Sequence, residues 1–418
     1  MLVNPIDTSW VLVSAALVLF MTPGLALFYG GMVRAKNVLS VMMNNLIAMA
    51  LMTVLWVLVG GSIAFGPDLG AGLLGGGSLS GFAHLSHALP GFRGGGASPM
   101  AIMVFQMMFA VITAALISGG TTDRIKFPSF VLLISLWLLV VYAPIAHWVF
   151  SPEGWLAKLG VLDFAGGTVV EICSGFSTLA IVLVLGRRRG WPGEAMAPHS
   201  VPLSLLGVGI LWFGWFGFNA GSALGMNDVA VHAFVNTQVA AATGLLGWLL
   251  FERVKESYPT TLGAASGAVA GMVAITPCAG FVATMPAMII GLFSGLLCAM
   301  AVRLKFRFRY DDSLDVLGVH GVGGLLGMLL LGLFASRSVN HAGANGLFSG
   351  GGLHQLGIQA LAAGVTMSFA FGGTWVLAKV IDLSIGLRVS PEDEFTGLDL
   401  SQHAESAYSL GGMGRLSS

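Results

Sequence analysis

Residues 315–324 read D-V-L-G-V-H-G-V-G-G, and the apolar run L-L-G-M-L-L-L-G-L-F follows directly. His320 lies at the centre of this stretch, and Asp315 is its only charged near neighbour in sequence. The glycines around His320 leave room for a second helix to approach closely. An ionisable side chain at membrane depth costs a few kcal/mol, so we interpret His320 as a candidate functional residue.

A buried ionisable side chain needs a partner, and Glu171 is the best candidate for His320. It is the only acidic residue in the apolar stretch G-G-T-V-V-E-I-C-S-G at 166–175. An unpaired buried carboxylate is costly, which favours a contact between the two residues. The alternative for His320 is a neutral, hydrogen-bonded packing residue.

The composition predicts an all-α polytopic membrane protein. The 418 residues are 56% hydrophobic and only 9% charged, with a mean hydropathy of +0.87, and soluble domains of this size carry far more charge. A net charge of zero offers nothing that would attract nucleic acid. The three cysteines lie in or beside apolar runs, so we predict buried thiols rather than disulfides or a metal site.

Eleven apolar runs are long enough to cross a membrane, which takes roughly 20 residues. We predict spans at about 9–32, 39–66, 99–120, 128–150, 166–186, 201–224, 232–251, 261–277, 283–302, 314–335 and 355–383. The predicted organisation is therefore a transmembrane domain over 1–383 and a cytoplasmic tail over 384–418.

The distribution of basic residues predicts the orientation. All but three of the 19 lysines and arginines fall in one set of loops and in the C-terminal segment; the exceptions are Arg93, Lys158 and Arg337. Positive residues favour the cytoplasmic side. We therefore expect a multi-pass protein of the cytoplasmic membrane with its N-terminus outside. For each arginine, the preference of positive residues for the cytoplasmic side is a simpler explanation than contact with a partner protein.

A weak internal repeat divides the first ten spans into two sets of five. Asp163 precedes Glu171 by eight residues, and Asp312 precedes His320 by eight. Because five is an odd number, the second set must have inverted topology. Inverted repeats with a site at the midplane are a common plan in transporters. The fold class is therefore a 5+5 inverted repeat followed by a final helix.

Several motifs, taken in order, resemble those of the ammonium transporter (Amt/Mep/Rh) family. They are F-Y-G-G-M-V-R-A-K-N at 28–37, F-Q-M-M-F-A-V-I-T-A-A-L-I at 105–117, A-P-I-A-H-W at 143–148, L-D-F-A-G-G-T-V-V at 162–170, W-F-G-W-F-G-F-N-A-G-S at 212–222, the stretch at 315–324 and G-L-D-L-S-Q-H-A-E-S-A-Y at 397–408. The resemblance implies eleven helices, ammonium uptake without a cofactor, and a homotrimer with one pore per subunit.

The resemblance also implies a pore pair formed by Glu171 and His320 that holds or relays a proton. Most members of the family have histidine at both positions, and some fungal members carry glutamate at the first. We expect a potential negative charge at Glu171 to make the pore more tolerant of cations than a pore with two histidines.

At the outer mouth, the resemblance implies a recruitment site for the ammonium ion. Phe109 and Phe150 supply aromatic faces for cation–π attraction, and Ser222 supplies a hydroxyl acceptor. The family usually has tryptophan at the position that aligns with Phe150, and Trp148 is the neighbouring alternative. Asp163 either supports this site electrostatically or caps its helix.

Phe109 also resembles one of the family's two stacked gate phenylalanines, and Phe218 resembles the other. Such a pair excludes water and hydrated ions. His147, in contrast, is expected to have a structural role near the outer interface.

The family further implies contact between the cytoplasmic loops or tail and a PII-type signalling protein. Two other function classes stay open: an ammonium sensor that signals through its tail, and a channel for neutral NH3 or CO2. Ammonium-dependent current would separate the transporter from both. An enzyme is not expected, because we find no nucleophile–base set, phosphate loop or metal cluster in the sequence.

Overall fold

The computed structural model describes residues 3–85, 89–92 and 96–408. Arg93, Arg415 and the last ten residues of the predicted tail lie outside the described residues. Regular structure in the described residues is helical apart from two isolated β-bridges. The prediction of an all-α membrane fold is confirmed.

Eleven apolar helices build the described bundle. They are α1 (Pro5–Met32), α2 (Ala35–Phe65), α3 (Pro99–Thr121), α4 (Phe127–Leu159), α5 (Gly167–Leu185), α6 (Val201–Gly221), α7 (Asp228–Lys255), α8 (Thr261–Ile275), α9 (Thr284–Phe308), α10 (Leu317–Phe334) and α11 (His354–Ser384). All except α8 are long and apolar enough to cross a membrane. The predicted break at 277–279 falls between α8 and α9.

Polar residues mark where these apolar helices begin. The side-chain oxygen of Asn4 accepts a hydrogen bond from the amide of Ile6 at 2.9 Å, and Thr260 accepts one from Gly263 at 2.8 Å. A side chain in this position satisfies an amide that the helix itself leaves unpaired.

Wide π-helical turns interrupt four of the helices. They lie at Trp56–Gly60 in α2, Leu138–Tyr142 in α4, Gly167–Ile172 at the start of α5 and Leu317–Gly321 at the start of α10. The last two contain Glu171 and His320. Because π-turns are often found at functional sites, their presence in both helices singles out this region.

Glycines bring α5 and α10 into backbone contact. A Cβ atom on Gly175, one turn after Glu171, would lie 2.3 Å from the Cα of Gly321. A Cβ atom on Gly324, one turn after His320, would lie 2.7 Å from the Cβ of Glu171. Gly175 therefore makes room for the helix that carries His320, and Gly324 makes room for the helix that carries Glu171.

The described part of the tail packs against the end of the bundle where α2 and α4 begin. Two short helices, α12 (Pro391–Thr396) and α13 (Leu398–His403), follow α11. The carboxylate of Asp399 accepts hydrogen bonds from the amides of Leu39 at 3.0 Å and Ser40 at 2.8 Å. The tail thus caps the start of α2 from outside that helix.

Buried ion pairs hold the loops at the same end. Arg188 donates to Asp311 at 2.8 Å and lies 3.6 Å from Asp123, and the fully buried Arg124 donates to Ser313 at 2.7 Å. Burial alone would raise the pKa of Asp311, but hydrogen bonds and charges from Arg188 and Arg124 lower it below its usual value. These two arginines therefore do more than bias topology, because they tie the α3–α4 and α5–α6 loops to the segment before α10.

We predict that Gly175→Ala disrupts the contact between α5 and α10. The added methyl group meets backbone atoms that no side-chain rotation can move, so we expect the free energy of unfolding to fall by about 1–3 kcal/mol. Thermal unfolding of the detergent-purified protein measures the change. Gly357→Ala in α11 is the matched control, since its Cβ atom meets no heavy atom within 4 Å. Equal stability of the two variants would contradict the prediction.

Candidate functional site

The structure brings Glu171 and His320 into direct contact. The Oε2 atom of Glu171 lies 2.7 Å from the Nδ1 atom of His320. Glu171 is fully buried, and His320 is 4% exposed. At this distance one proton joins the two side chains, whether it belongs formally to the carboxyl group or to the ring.

The second carboxyl oxygen of Glu171 is an unused acceptor. Oε1 is buried and has no hydrogen-bond partner among the described residues. A buried acceptor without a donor is unfavourable by about 1–3 kcal/mol. A donor that enters the adjoining cavity would relieve this cost, and ammonium and water are such donors.

That cavity lies on one side of the pair and has mostly apolar walls. The residues that line it are Met21, Leu25, Phe28, Ile112, Leu116, Val170, Glu171, Leu211, Trp215, Phe218, Val269 and His320. Of these, only Glu171 and His320 carry ionisable groups. A cation that entered this cavity would lose its hydrating water and find few other hydrogen-bond acceptors, which is unfavourable. A small neutral molecule would not bear this desolvation cost.

His320 also lines a second cavity, which shares Phe28 and Val269 with the first. Its other lining residues are Tyr29, Met32, Trp248, Ser266, Leu314, Asp315 and Val319. Asp315 pairs with Lys305 at 2.7 Å. His320 therefore borders both an apolar cavity and a cavity that is lined by a carboxylate.

Two phenylalanine rings stack on one another at the wall of the apolar cavity. The ring centroids of Phe109 and Phe218 are 4.3 Å apart with an angle of 29° between the planes. Each is 1% exposed, and Phe218 also lines the cavity. Because the two rings are stacked and buried, one of them must move before a molecule can pass between them.

Phe150 lies next to this stacked pair. Its ring is perpendicular to that of Phe109, with centroids 6.3 Å apart, and it remains partly exposed. Ser222 follows Phe218 by one turn and donates its hydroxyl hydrogen to the Phe218 carbonyl at 2.8 Å. The lone pairs of Ser222 Oγ stay available as acceptors.

The structure places Trp148 away from Phe109, on another side of α4. Its indole nitrogen donates to the carbonyl of Leu73 at 2.8 Å, and its ring packs 4.6 Å from that of Phe369 in α11. Trp148 and Phe150 are two positions apart, so a helix directs them to different faces. Of the two aromatic candidates, Phe150 is the one that contacts Phe109.

Asp163 caps the start of α5. Its carboxylate accepts hydrogen bonds from the amides of Gly166 at 2.8 Å, Gly167 at 2.6 Å and Thr168 at 2.8 Å. Asp312 does the same for α10, where it accepts from the amide of Leu317 at 2.8 Å. In both helices one of the capped amides lies five residues after the aspartate. The weak sequence repeat therefore corresponds to the same local structure at the start of α5 and α10.

Most residues that line the cavities cannot be selected from the sequence, and three with polar atoms are examples. Trp215 lies in the quoted motif at 212–222 and donates to Thr276 at 3.0 Å. Asp315 lies in the stretch at 315–324, and Tyr29 lies in the motif at 28–37. Each falls inside a quoted motif, but nothing in a linear pattern shows which side of a helix faces a cavity.

Comparison with known proteins identifies related sequences over nearly the whole chain. The model of the Ammonium Transporter Family matches residues 9–408. An ammonium transporter of Mycobacterium tuberculosis H37Rv is 49% identical over 428 residues, which cover 96% of this chain and 90% of that protein.

Solved structures have the same fold. Mep2 of Saccharomyces cerevisiae superimposes with a TM-score of 0.86 at 34% identity, covering 93% of this chain and 88% of that one. A structure described as a sensor Amt protein also has a TM-score of 0.86, at 31% identity, with 95% and 98% covered.

We predict that Asp312→Asn stabilises the protein at pH 8 and has little effect at pH 4. Burial, and then the charge of Asp315, raise the pKa of Asp312 from 3.8 to about 6. The unfolded chain therefore loses this proton first as the pH rises, and wild-type stability falls by on the order of 3 kcal/mol between pH 4 and pH 7. Asparagine keeps the acceptor for Leu317 without the charge.

Thermal unfolding of both proteins from pH 4 to pH 8 measures this effect. The exposed Glu405→Gln is the control and should show no difference from wild type at either pH. A variant that is less stable than wild type at pH 8 would contradict the prediction.

Proposed function

Since the chain belongs to the ammonium transporter family, we propose that it carries ammonium across a membrane along the line of Phe150, the Phe109–Phe218 pair, Glu171 and His320. The observation that carries this route is the hydrogen bond between Glu171 and His320. The two residues line a cavity to which one ring of the stacked aromatic pair also contributes, and His320 lines a second cavity as well. An ionisable pair in that position can take a proton from a substrate that an apolar passage would otherwise reject.

The outer end of this route recruits the hydrated cation. The partly exposed Phe150 ring attracts ammonium through its face, and Ser222 accepts one of its four N–H bonds. A cation–π contact contributes about 0.5–2 kcal/mol. That strength suits a site that collects a substrate and releases it onward. Asp163 contributes indirectly, by fixing the start of the helix that carries Glu171.

In the inner part of the route, the proton and NH3 follow separate paths. The apolar cavity strongly disfavours bare NH4+ but admits NH3. Oε1 of Glu171 has no hydrogen-bond donor among the described residues, so it is free to accept an N–H bond and then the proton. His320 passes the proton toward the cavity that Asp315 lines, while NH3 follows the apolar wall.

We expect Glu171→Gln to lower the ammonium-dependent current at least about tenfold, because an amide cannot accept and release a proton as a carboxylate does. His320→Ala should abolish the current, since it removes the relay to the inner cavity. Glu171→His should carry less current than wild type, because it lacks the potential negative charge. Solid-supported-membrane electrophysiology on proteoliposomes, with an ammonium concentration jump, measures all three.

Glu405→Gln in the tail is the control and should retain the wild-type current. A wild-type current equal to or lower than that of Glu171→His would contradict the role given to the carboxylate. A wild type that binds ammonium without current would favour the sensor or the neutral-gas channel instead.

The wider setting of the transporter is also part of the proposal. The cluster of basic residues at the tail end supports an orientation in the cytoplasmic membrane with the N-terminus outside and residues 384–418 cytoplasmic. Family membership supports a homotrimer with one pore per subunit and a PII-type partner at the cytoplasmic face. The family is one of transporters, and this role calls for no enzyme activity or cofactor.

A further inference from the structure

His147 occupies an unusual position at the end of the bundle opposite the tail. Its side chain is fully buried, and each ring nitrogen faces an oxygen atom. Nδ1 lies 2.9 Å from the carbonyl of Ala64, and Nε2 lies 3.4 Å from Oδ1 of Asp68. A carbonyl and an ionised carboxylate only accept, so an imidazolium satisfies both contacts and a neutral ring satisfies one.

These contacts join two helices and a loop. Ala64 is in the last turn of α2, Asp68 lies in the loop that follows α2, and His147 lies in α4. The ring therefore fixes α4 against the end of α2 at a point one turn before Phe150.

A second attachment lies on the other side of Phe150. The carboxylate of Glu153 accepts a hydrogen bond from the amide of Asp68 at 2.7 Å. Directly after Glu153 the chain folds back tightly, since a Cβ atom on Gly154 would lie 2.0 Å from the carbonyl oxygen of His147. Phe150 is thus bracketed by His147 before it and Glu153 after it, and both are bound to Asp68.

Asp68 is itself held in place by the loop. Its Oδ2 atom accepts from the amide of Gly72 at 3.0 Å, and Gly72 accepts from the amide of Trp155 at 3.1 Å. Gly72 has a φ of +71° and no room for a side chain, because a Cβ atom would lie 2.4 Å from the Trp155 nitrogen. The loop is therefore built closely around this carboxylate.

From this arrangement we propose that His147 and Asp68 are positioning residues for ammonium recruitment, which hold the Phe150 ring against Phe109. The inference rests on the proposed function, in which Phe150 recruits the substrate. The pair touches neither the route nor the substrate. The His147–Asp68 pair acts only by positioning Phe150. Loss of the pair should therefore weaken ammonium recruitment and leave the later proton transfer intact.

Uptake of radiolabelled methylammonium, an ammonium analogue, tests this in cells that lack ammonium transporters of their own. We expect His147→Leu to raise the apparent KM about three- to tenfold, with the maximal rate per transporter at the membrane within about twofold of wild type. Asp68→Ala should act in the same way. Asp68→Asn keeps a side chain that can hydrogen-bond to the ring, so its KM should return toward the wild-type value.

A double variant separates positioning from general damage. If His147 acts through Phe150, His147→Leu should not raise the KM further in a Phe150→Ala background. Lys158→Gln, an exposed change in the same segment, is the control and should leave the KM unchanged. Independent, multiplicative effects of the two changes would overturn the inference.

The outcomes also distinguish this inference from the proposed function. If Phe150→Ala alone leaves the KM unchanged, the recruiting role of Phe150 is wrong and the inference falls with it. If Phe150→Ala raises the KM but neither His147→Leu nor Asp68→Ala does, only the inference is wrong. Should His147→Leu not reach the membrane, the contrast between Asp68→Ala and Asp68→Asn decides the question.

Discussion

The buried hydrogen bond between Glu171 and His320 is the contact on which the rest of the structure depends. Two ionisable side chains among apolar residues are tolerated only when they satisfy each other. Their helices must therefore approach until the backbones touch, which is why glycine follows each of them by one turn. Their positions along the helices must also be held, and Asp163 and Asp312 do so by capping α5 and α10 with the same spacing.

The two ends of the bundle support this pair by different means. At the tail end, buried arginine–aspartate pairs tie the loops to the segment before α10, and the tail caps α2. These contacts fix the position from which His320 enters the bundle. At the opposite end, Asp68 contacts His147 and Glu153 and so holds the segments on both sides of Phe150. Ion pairs therefore hold the end near His320, and contacts to Asp68 hold the end near Phe150.

The route itself follows from the cost of dehydrating a cation. In the proposed route, aromatic faces and a hydroxyl would attract ammonium where water is still present, and the stacked phenylalanines would remove that water. Beyond them, the apolar walls favour a neutral molecule, and the Glu171–His320 pair is the one place in the cavity where a proton can be held. In this proposal the proton and NH3 take separate paths from that pair, because no single environment on the route favours both a cation and a neutral molecule.

The sequence alone determined the class of the protein, the approximate positions of its apolar helices, the two residues of the buried pair and the aromatic candidates around them. Hydropathy, helix length and the cost of burying charge are local properties, so a linear pattern carries them. The tertiary structure decided which side of α4 faces Phe109, and hence that Phe150 and not Trp148 lies beside it. It also decided that Arg124 and Arg188 are buried in ion pairs, that Asp315 and Tyr29 line the inner cavity and that Asp68 holds both flanks of Phe150. These facts depend on how helices rotate and on contacts between residues far apart in the chain, which packing alone sets.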